Sequence, residues 1–213
     1  MTPILVIGSG GHCRAVLSVL FSEKKWDVIG IIDINTNTTI KGEIILGVPV
    51  LTDLNSLLIN NDPNVNQAIV ATGGNNERSV IHQKLKNIGF EFPRVFSSSS
   101  IVDPTARIGN GTVVMHGAII GPIVEVGEGC IVNTNSVLEH GSIIGNWSHI
   151  ATGSIVSGGS NLGECVFLGA GSIVIDGLTV TDNVIIGAGS VVIKDIFDEY
   201  ETYVGAPAEK IKT

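Results

Sequence analysis

The 213-residue sequence has few basic residues, few cysteines and no long apolar run. Its 12 lysines and arginines are outnumbered by 20 acidic residues, giving a formal net charge of −8, so no nucleic-acid or anionic-lipid partner is expected. Cys13, Cys130 and Cys165 form no CxxC or Cys/His pattern, which argues against a disulfide framework or a zinc knuckle. The first residues, MTPILVIGSGGHCRAVL, lack a basic leader, and glycines interrupt their apolar run. Neither a signal peptide nor membrane insertion is predicted, and a cytoplasmic location is expected.

The second half of the chain repeats every six residues. From residue 101, sixteen consecutive hexads carry an aliphatic residue at the second place, from Val102 to Val192. The residue four places after each aliphatic is Ser, Thr, Ala or Val in thirteen hexads, and the residue three places after it is Gly in nine and Asn in two. Gly and Asn favour positive φ, so each hexad describes a short strand with one large and one small inward residue, then a corner. Three sides close a triangular coil of eighteen residues, and about five coils fit.

The first half alternates strands and helices. PILVIG is a predicted strand, CRAVLSVLFSEKK a helix, and DVIGIID a strand that ends at Asp33. A strand in NQAIVATGG and a helix over 76–88 continue this order. The fold class is therefore α/β plus β, with a small Rossmann-like domain over 1–96 and a parallel β-helix domain with a C-terminal tail over 97–213. The Ser-rich segment VFSSSSIVDP marks the boundary.

A glycine loop, GSGGH, follows the first strand and opens the first helix. Its amides and the helix N-terminus can hold a diphosphate, and the carboxylate at the end of the second strand can bind a ribose or a base edge. Because Cys13 stands where GxGxxG has its third glycine, a nucleotide sugar fits better than NAD. A tight turn without a ligand is the alternative. The candidate substrate-binding residues here are Gly8, Gly10, Gly11, His12 and Asp33.

A second loop, GGNNER, follows the third strand at the same edge of the sheet, where open α/β sheets bind ligands. Gly73, Asn75 and Arg78 are its candidate substrate-binding residues. Arg78 is either a charge on the helix surface or a phosphate contact.

Two histidines interrupt the apolar repeat. His140 lies two places after the aliphatic Leu138, and His149 lies directly before Ile150. Both places point out of the prism, so neither histidine is predicted to be a core residue. His116 also lies two places after an aliphatic residue, so outward placement alone does not identify a site.

The whole chain resembles the bacterial sugar acetyltransferases that join a small nucleotide-binding domain to a hexapeptide-repeat, left-handed β-helix. This is the sialic acid O-acetyltransferase-like family, which includes N-acetyltransferases of UDP-4-amino-4,6-dideoxy sugars. The matching segments are VIGSGGH, the GxNxxR of residues 73–78, NTNSVLEH, the SH before Ile150 and the tail VGAPAEKI. The resemblance implies acetyl-CoA as cosubstrate, no metal, and a homotrimer whose active sites lie between subunits.

The resemblance also implies roles for individual residues. His140 would be the general base, Asn133 and His149 would line the acceptor and thioester site, His12 would contact the nucleotide sugar, and the amide of Gly158 would hold the acetyl carbonyl oxygen. Coenzyme A would lie along the C-terminal coils, where FLGAGS and IIGAGS repeat, and under the GAPA tail. The candidate cofactor-binding residues are His149, Gly158, Ala170, Ala188, Gly205 and Pro207.

At one position the residue in this sequence differs from that in many members of the family. They carry Asp or Glu directly after the catalytic histidine, whereas this sequence has Gly141. Glu139 is the nearest carboxylate and the third candidate catalytic residue beside His140 and Asn133. Adjacent residues on a strand point in opposite directions, however, which disfavours a contact between Glu139 and His140.

The expected activity is acetyl-CoA-dependent N-acetylation of a nucleotide-linked amino-deoxy sugar, of the UDP-4-amino-4,6-dideoxy type, for surface glycan or glycoprotein synthesis. A transferase of a GDP- or dTDP-sugar and a sialic acid O-acetyltransferase are alternatives within the same class. A metalloenzyme like the γ-class carbonic anhydrases is disfavoured, because it expects two histidines five residues apart, whereas His140 and His149 are nine apart. A non-catalytic nucleotide-sugar-binding protein is the alternative from another class.

Overall fold

The computed structural model describes residues 1–34, 42–59 and 65–211. The chain divides after Ser98 into two compact units, two residues beyond the predicted boundary. None of the helices among the described residues is long and apolar enough to cross a bilayer.

The N-terminal unit is a five-stranded sheet with helices. Its strands are β1 Thr2–Ile7, β2 Trp26–Asp33, β3 Ile44–Ile45, β4 Val48–Asp53 and β5 Ala68–Val70, followed by the short β6 Val95–Phe96; its helices are α1 Gly11–Glu23, α2 Leu54–Ile59 and α3 Asn75–Asn87. The sheet order is β3-β4-β2-β1-β5. All pairs are parallel except β3 with β4. The predicted Rossmann-like order is confirmed, and β3, β4 and α2 are additional elements.

The chain order reverses between β1 and β5. From β1 the sheet grows toward β2 on one side, and β5 joins on the other. Helix α1 begins just after β1, and α3 begins just after β5. In open α/β sheets such a switch point leaves a crevice at the carboxyl ends of the strands, where ligands bind. Both predicted glycine loops lie at this edge.

The C-terminal unit is a parallel β-helix whose strands follow the predicted hexads. Every pair of neighbouring strands between residues 101 and 192 is offset by eighteen residues. Side 1 contains Ile101–Val102, Ile119–Ile120, Val137–Leu138, Ile155–Val156, Ile173–Val174 and Val191–Val192. Side 2 contains Arg107–Ile108, Glu125–Val126, Ile143–Ile144, Asn161–Leu162 and Thr179–Val180. Side 3 contains Val113–Val114, Ile131–Val132, His149–Ile150, Phe167–Leu168 and Ile185–Ile186.

The corners of the coil have the backbone that the repeat predicts. Every sixth residue from Gly111 to Gly189 has positive φ. Ile123, Trp147 and Cys165 take this conformation although they are neither Gly nor Asn, so the register imposes it even on side chains that disfavour it. Small inward residues fill the corners from inside. The buried Ser148, for example, donates a hydrogen bond to Gly163 O at 2.9 Å and accepts one from Val166 N at 3.0 Å.

The tail extends side 3 and then turns. Thr202–Val204 pairs in parallel with Ile185–Ile186 and antiparallel with Glu209–Lys210. Between these strands, Gly205 N donates to Ser190 Oγ at 3.1 Å, and Gly205 O accepts from Val191 N at 2.9 Å. The GAPA segment therefore docks on the last coil where side 3 meets side 1.

Candidate active site

The first glycine loop is tied to β2, the neighbour of β1 in the sheet. Gly8 N donates to Ile32 O of β2 at 2.7 Å, and Ser9 Oγ donates to Asp33 Oδ1 at 2.8 Å. Asp33 is buried, with 5% of its surface exposed. The hydroxyl of Ser9 orients the predicted ribose- or base-binding carboxylate. Sequence reasoning missed this residue, although a hydroxyl inside the loop was a visible signal.

Gly8→Ala is expected to destabilise the N-terminal unit. Gly8 has φ of +116°, and a β-carbon there would lie 3.0 Å from Ala71 O, a backbone atom that has little room to move. Strain of this kind costs roughly 1–3 kcal/mol. Urea unfolding of the variant should show that loss, whereas Gly10→Ala, which meets no atom within 4 Å, should unfold close to the wild type. Equal unfolding free energies for the two variants would contradict the packing argument.

Two helix N-termini open at the same sheet edge. The N-caps of α1 and α3 are Gly10 and Gly74, and neither makes a side-chain capping bond. β-Carbons at Gly10, Gly11 and Gly73 would meet nothing within 4 Å, so the space over these amides is open. Backbone amides and two helix dipoles facing open space suit a diphosphate.

Arg78 lies below the second loop instead of on the helix surface. It is 1% exposed, and its guanidinium donates to Thr72 O at 3.2 Å, to Gly73 O at 3.3 Å and to Asn75 Oδ1 at 2.9 Å. Thr72 also donates its hydroxyl to Glu77. Arg78 and Asn75 therefore hold the shape of the loop, which leaves Gly73 as its open position.

His12 is half-buried beside this loop. Burial, and secondarily the charge of Arg78, lower the pKa of His12 from 6.5 to about 4. His12 is therefore neutral near pH 7, and its imidazole is suited to hydrogen bonding with a sugar or phosphate instead of pairing as a cation.

Acid should destabilise the N-terminal unit between pH 6.5 and pH 4. The pKa of His82, which stacks on Phe92, is also lowered to about 4, first by burial and then by Lys86. Since the unfolded chain binds these protons near pH 6.5, the free energy of unfolding is at its full value above pH 6.5 and falls as the pH drops toward 4. Urea unfolding across this range should show a shallower dependence for His82→Gln. An unchanged slope would contradict the assignment.

His140 lies at corner 1–2, between Val137–Leu138 and Ile143–Ile144. Its side chain is exposed, and its carbonyl accepts from Gly159 N at 2.9 Å. A β-carbon at Gly158, one coil further on, would lie 2.5 Å from His140 Cε1. Among the described residues no hydrogen bond or ion pair joins Glu139 to His140, so Glu139 does not orient the imidazole in this protomer.

Asn133 and His149 form a pair elsewhere on the coil. Asn133 Oδ1 accepts from Thr134 N at 2.7 Å, which fixes the amide so that Nδ2 donates to His149 Nε2 at 3.0 Å. His149 therefore carries its ring proton on Nδ1. The outward place of His149 in the hexad does not leave it exposed: it is 8% exposed and packs edge-on against Phe167, with ring centroids 5.2 Å apart.

Most of the residues predicted to bind coenzyme A lie at the same corner of the coil as Asn133. Ala170 and Ala188 are exposed and stack at corner 3–1, where Gly189 N donates to Ala170 O at 2.8 Å. Gly205 and Pro207 of the tail lie at the same corner, on the last coil. Asn133 is at this corner too, directly after Ile131–Val132.

The predicted site is thus divided between two corners of one protomer. His140 and Gly158 lie at corner 1–2. Asn133 and four of the residues predicted to bind coenzyme A, Ala170, Ala188, Gly205 and Pro207, lie at corner 3–1, and His149 reaches Asn133 from side 3. One side of the triangle separates the two corners, on the order of 15–20 Å for six extended residues. Across residues 1–34, 42–59 and 65–211, no group of three or more His, Cys, Asp or Glu side chains could hold a metal ion.

The N-terminal unit matches a known domain. Residues 3–85 match the PglD N-terminal domain. No curated protein matches the chain.

Solved structures match over the full length. The acetyltransferase domain of PglB from Neisseria gonorrhoeae is 30% identical, with a TM-score of 0.91, over 99% of this chain and 100% of that one. A histidine-to-asparagine mutant of perosamine N-acetyltransferase from Caulobacter crescentus, in complex with CoA and GDP-perosamine, is 31% identical, with a TM-score of 0.92, over 100% and 98%. WeeI from Acinetobacter baumannii shares the fold at 19% identity, with a TM-score of 0.85, over 99% and 100%.

Proposed function

The chain belongs to the hexapeptide-repeat nucleotide-sugar acetyltransferases, and we propose that it acetylates the amino group of a nucleotide-linked 4-amino-4,6-dideoxy sugar with His140 as general base. It is an acetyl-CoA-dependent enzyme of bacterial glycan synthesis, and we place the reaction in the cytoplasm. The observation that carries the proposal is the exposed imidazole of His140 against the backbone of Gly158, which supplies a base and an amide donor side by side.

The chemistry needs a base, a donor for the oxyanion and good positioning. Nδ1 or Nε2 of His140 removes a proton from the amine as the amine nitrogen attacks the thioester carbonyl. The amide of Gly158 donates to the developing oxyanion. The tetrahedral intermediate then collapses, the C–S bond breaks, and the proton passes from the imidazolium to the thiolate of coenzyme A. Direct attack forms the new C–N bond in one transfer, so no cysteine nucleophile is needed.

We propose that the enzyme is a homotrimer, because one protomer holds only half of the site at each corner. The outward row of side 1 is aliphatic throughout: Ile101, Ile119, Val137, Ile155, Ile173 and Val191. Ile101 is 64% exposed and Ile119 40%, and the other four are partly exposed. An apolar row of this length that is open to solvent favours burial against a partner. Three copies with side 1 toward a common axis would bring corner 1–2 of each copy to corner 3–1 of the next.

The features of the N-terminal unit favour a sugar that is linked to a nucleoside diphosphate. Two open helix N-termini and the buried Asp33 with its Ser9 partner provide these contacts. We propose a UDP-sugar. A GDP-sugar is a second candidate, because the relative from Caulobacter crescentus is in complex with GDP-perosamine.

A thiol-release assay with acetyl-CoA tests the proposal. The acceptor panel contains 4-amino-4,6-dideoxy sugars linked to UDP, GDP and dTDP, and free sialic acid. CoA release with an amino sugar, with the product carrying an amide, is the expected result. Release with sialic acid alone would identify an O-acetyltransferase, and binding of a nucleotide sugar without any release would identify a binding protein.

A further inference from the structure

His140 lacks the carboxylate that could orient it, because Gly141 follows it and Glu139 does not contact it. No hydrogen bond to its ring is present among residues 99–211. A different neighbour meets the imidazole. A β-carbon at Gly158 would lie 2.5 Å from Cε1, 2.7 Å from Nε2 and 3.1 Å from Nδ1 of His140. Since both nitrogens are almost as near as Cε1, that position lies over the face of the ring.

We propose that Gly158 is a positioning residue whose missing side chain seats the His140 imidazole against the backbone of the next coil. The inference rests on the proposed function, in which His140 is the base. Gly158 then has a steric role that is separate from that of its amide. Contact with its backbone holds the base in place in a chain that lacks the usual carboxylate.

The repeat itself provides no other reason for this glycine. Gly158 stands at the fourth place of its hexad, and the other fifteen hexads have a side chain there, including Pro122 and Asp176 on either side of His140 and Gly158 in the same column. Its φ is outside the left-handed region, unlike that of Gly159. The fold therefore accepts a side chain at this place, and the three atoms nearest to a β-carbon at Gly158 all belong to the imidazole of His140.

Gly158→Ala should consequently leave the fold intact and displace only the base. The backbone can keep its conformation, and the exposed imidazole can swing into solvent to make room for the methyl group. The backbone amide of residue 158 is retained, so a loss of activity is not a loss of the oxyanion donor. A base misplaced by about 1 Å costs on the order of 10²-fold in rate.

The test is a double-mutant cycle. Gly158→Ala should lower kcat about 10²-fold, with little change in KM for acetyl-CoA and in melting temperature. In the His140→Ala background the same methyl group should cost nothing further. Equal losses in both backgrounds would overturn the proposal, because the methyl group would then be acting on acetyl-CoA itself.

A matched control and a ligand-free measurement complete the test. Glu128→Ala puts alanine at the same hexad place of corner 2–3 and should keep wild-type kcat. In NMR spectra without substrates, the Cε1–H signal of His140 should move in Gly158→Ala, and this readout is independent of whether an acceptor sugar has been found. An unchanged signal would overturn the proposal that Gly158 positions the imidazole. A signal that shifts in a protein without transferase activity would contradict only the proposed function.

Discussion

His140→Ala is expected to lower kcat/KM by about 10²- to 10⁴-fold while leaving the protein folded. The side chain is exposed, its ring receives no hydrogen bond from residues 99–211, and its carbonyl, which Gly159 N uses, remains in the variant. The loss should fall on kcat, because the role proposed for the imidazole is removal of a proton from the amine. Affinity for coenzyme A should change little, since most of its predicted contacts lie at corner 3–1 and the backbone amide of Gly158 is kept in the variant.

Steady-state kinetics and calorimetric binding of coenzyme A measure the two effects. His116→Ala is the matched control: His116 occupies the same place in its hexad, has no part in the proposed chemistry, and should retain wild-type kcat/KM. A His140→Ala enzyme with full kcat/KM would show that another group takes the proton.

The β-helix was predictable almost residue by residue, because its register is written in the sequence. A six-residue period fixes which side chains point inward and where the corners fall, and residues such as Ile123 and Trp147 obey it against their own preference for negative φ. The N-terminal unit was less predictable. β3, β4 and α2 are two to six residues long, too short for the periodicity of apolar residues to distinguish them.

The candidate site residues could be chosen from residue type and motif, but their contacts were not predictable from the sequence. The burial of Arg78 beneath its loop depends on the carbonyls of Thr72 and Gly73, and no pattern of residue types encodes that geometry. The same holds for the hydrogen bond between Asn133 and His149, which lie on neighbouring coils. The period does place His140 and Asn133 at different corners, since seven residues span one side of the triangle, and this division decides how the site must be assembled.

Two inactive variants should restore activity when they are combined in one oligomer. If His140 of one protomer works with Asn133 of the next, His140→Ala and Asn133→Ala each disable every site in a pure trimer. In a trimer assembled at random from equal amounts of both variants, about one quarter of the sites join an intact His140 to an intact Asn133. Mixing the chains in urea, refolding them together and measuring CoA release should therefore give about one quarter of the activity of refolded wild type.

The control separates shared sites from simple contamination or refolding artefacts. His140→Ala refolded with the double variant His140→Ala/Asn133→Ala contains no intact His140 and should stay as inactive as each protein alone. If the two single variants also stay inactive together while refolded wild type recovers, a site shared by His140 of one protomer and Asn133 of the next is contradicted. The side-1 row must then serve another purpose. Recovery near one quarter would instead support a site shared between protomers. In the proposed trimer, burial of the aliphatic row of side 1 brings His140 of one copy to Asn133 of the next.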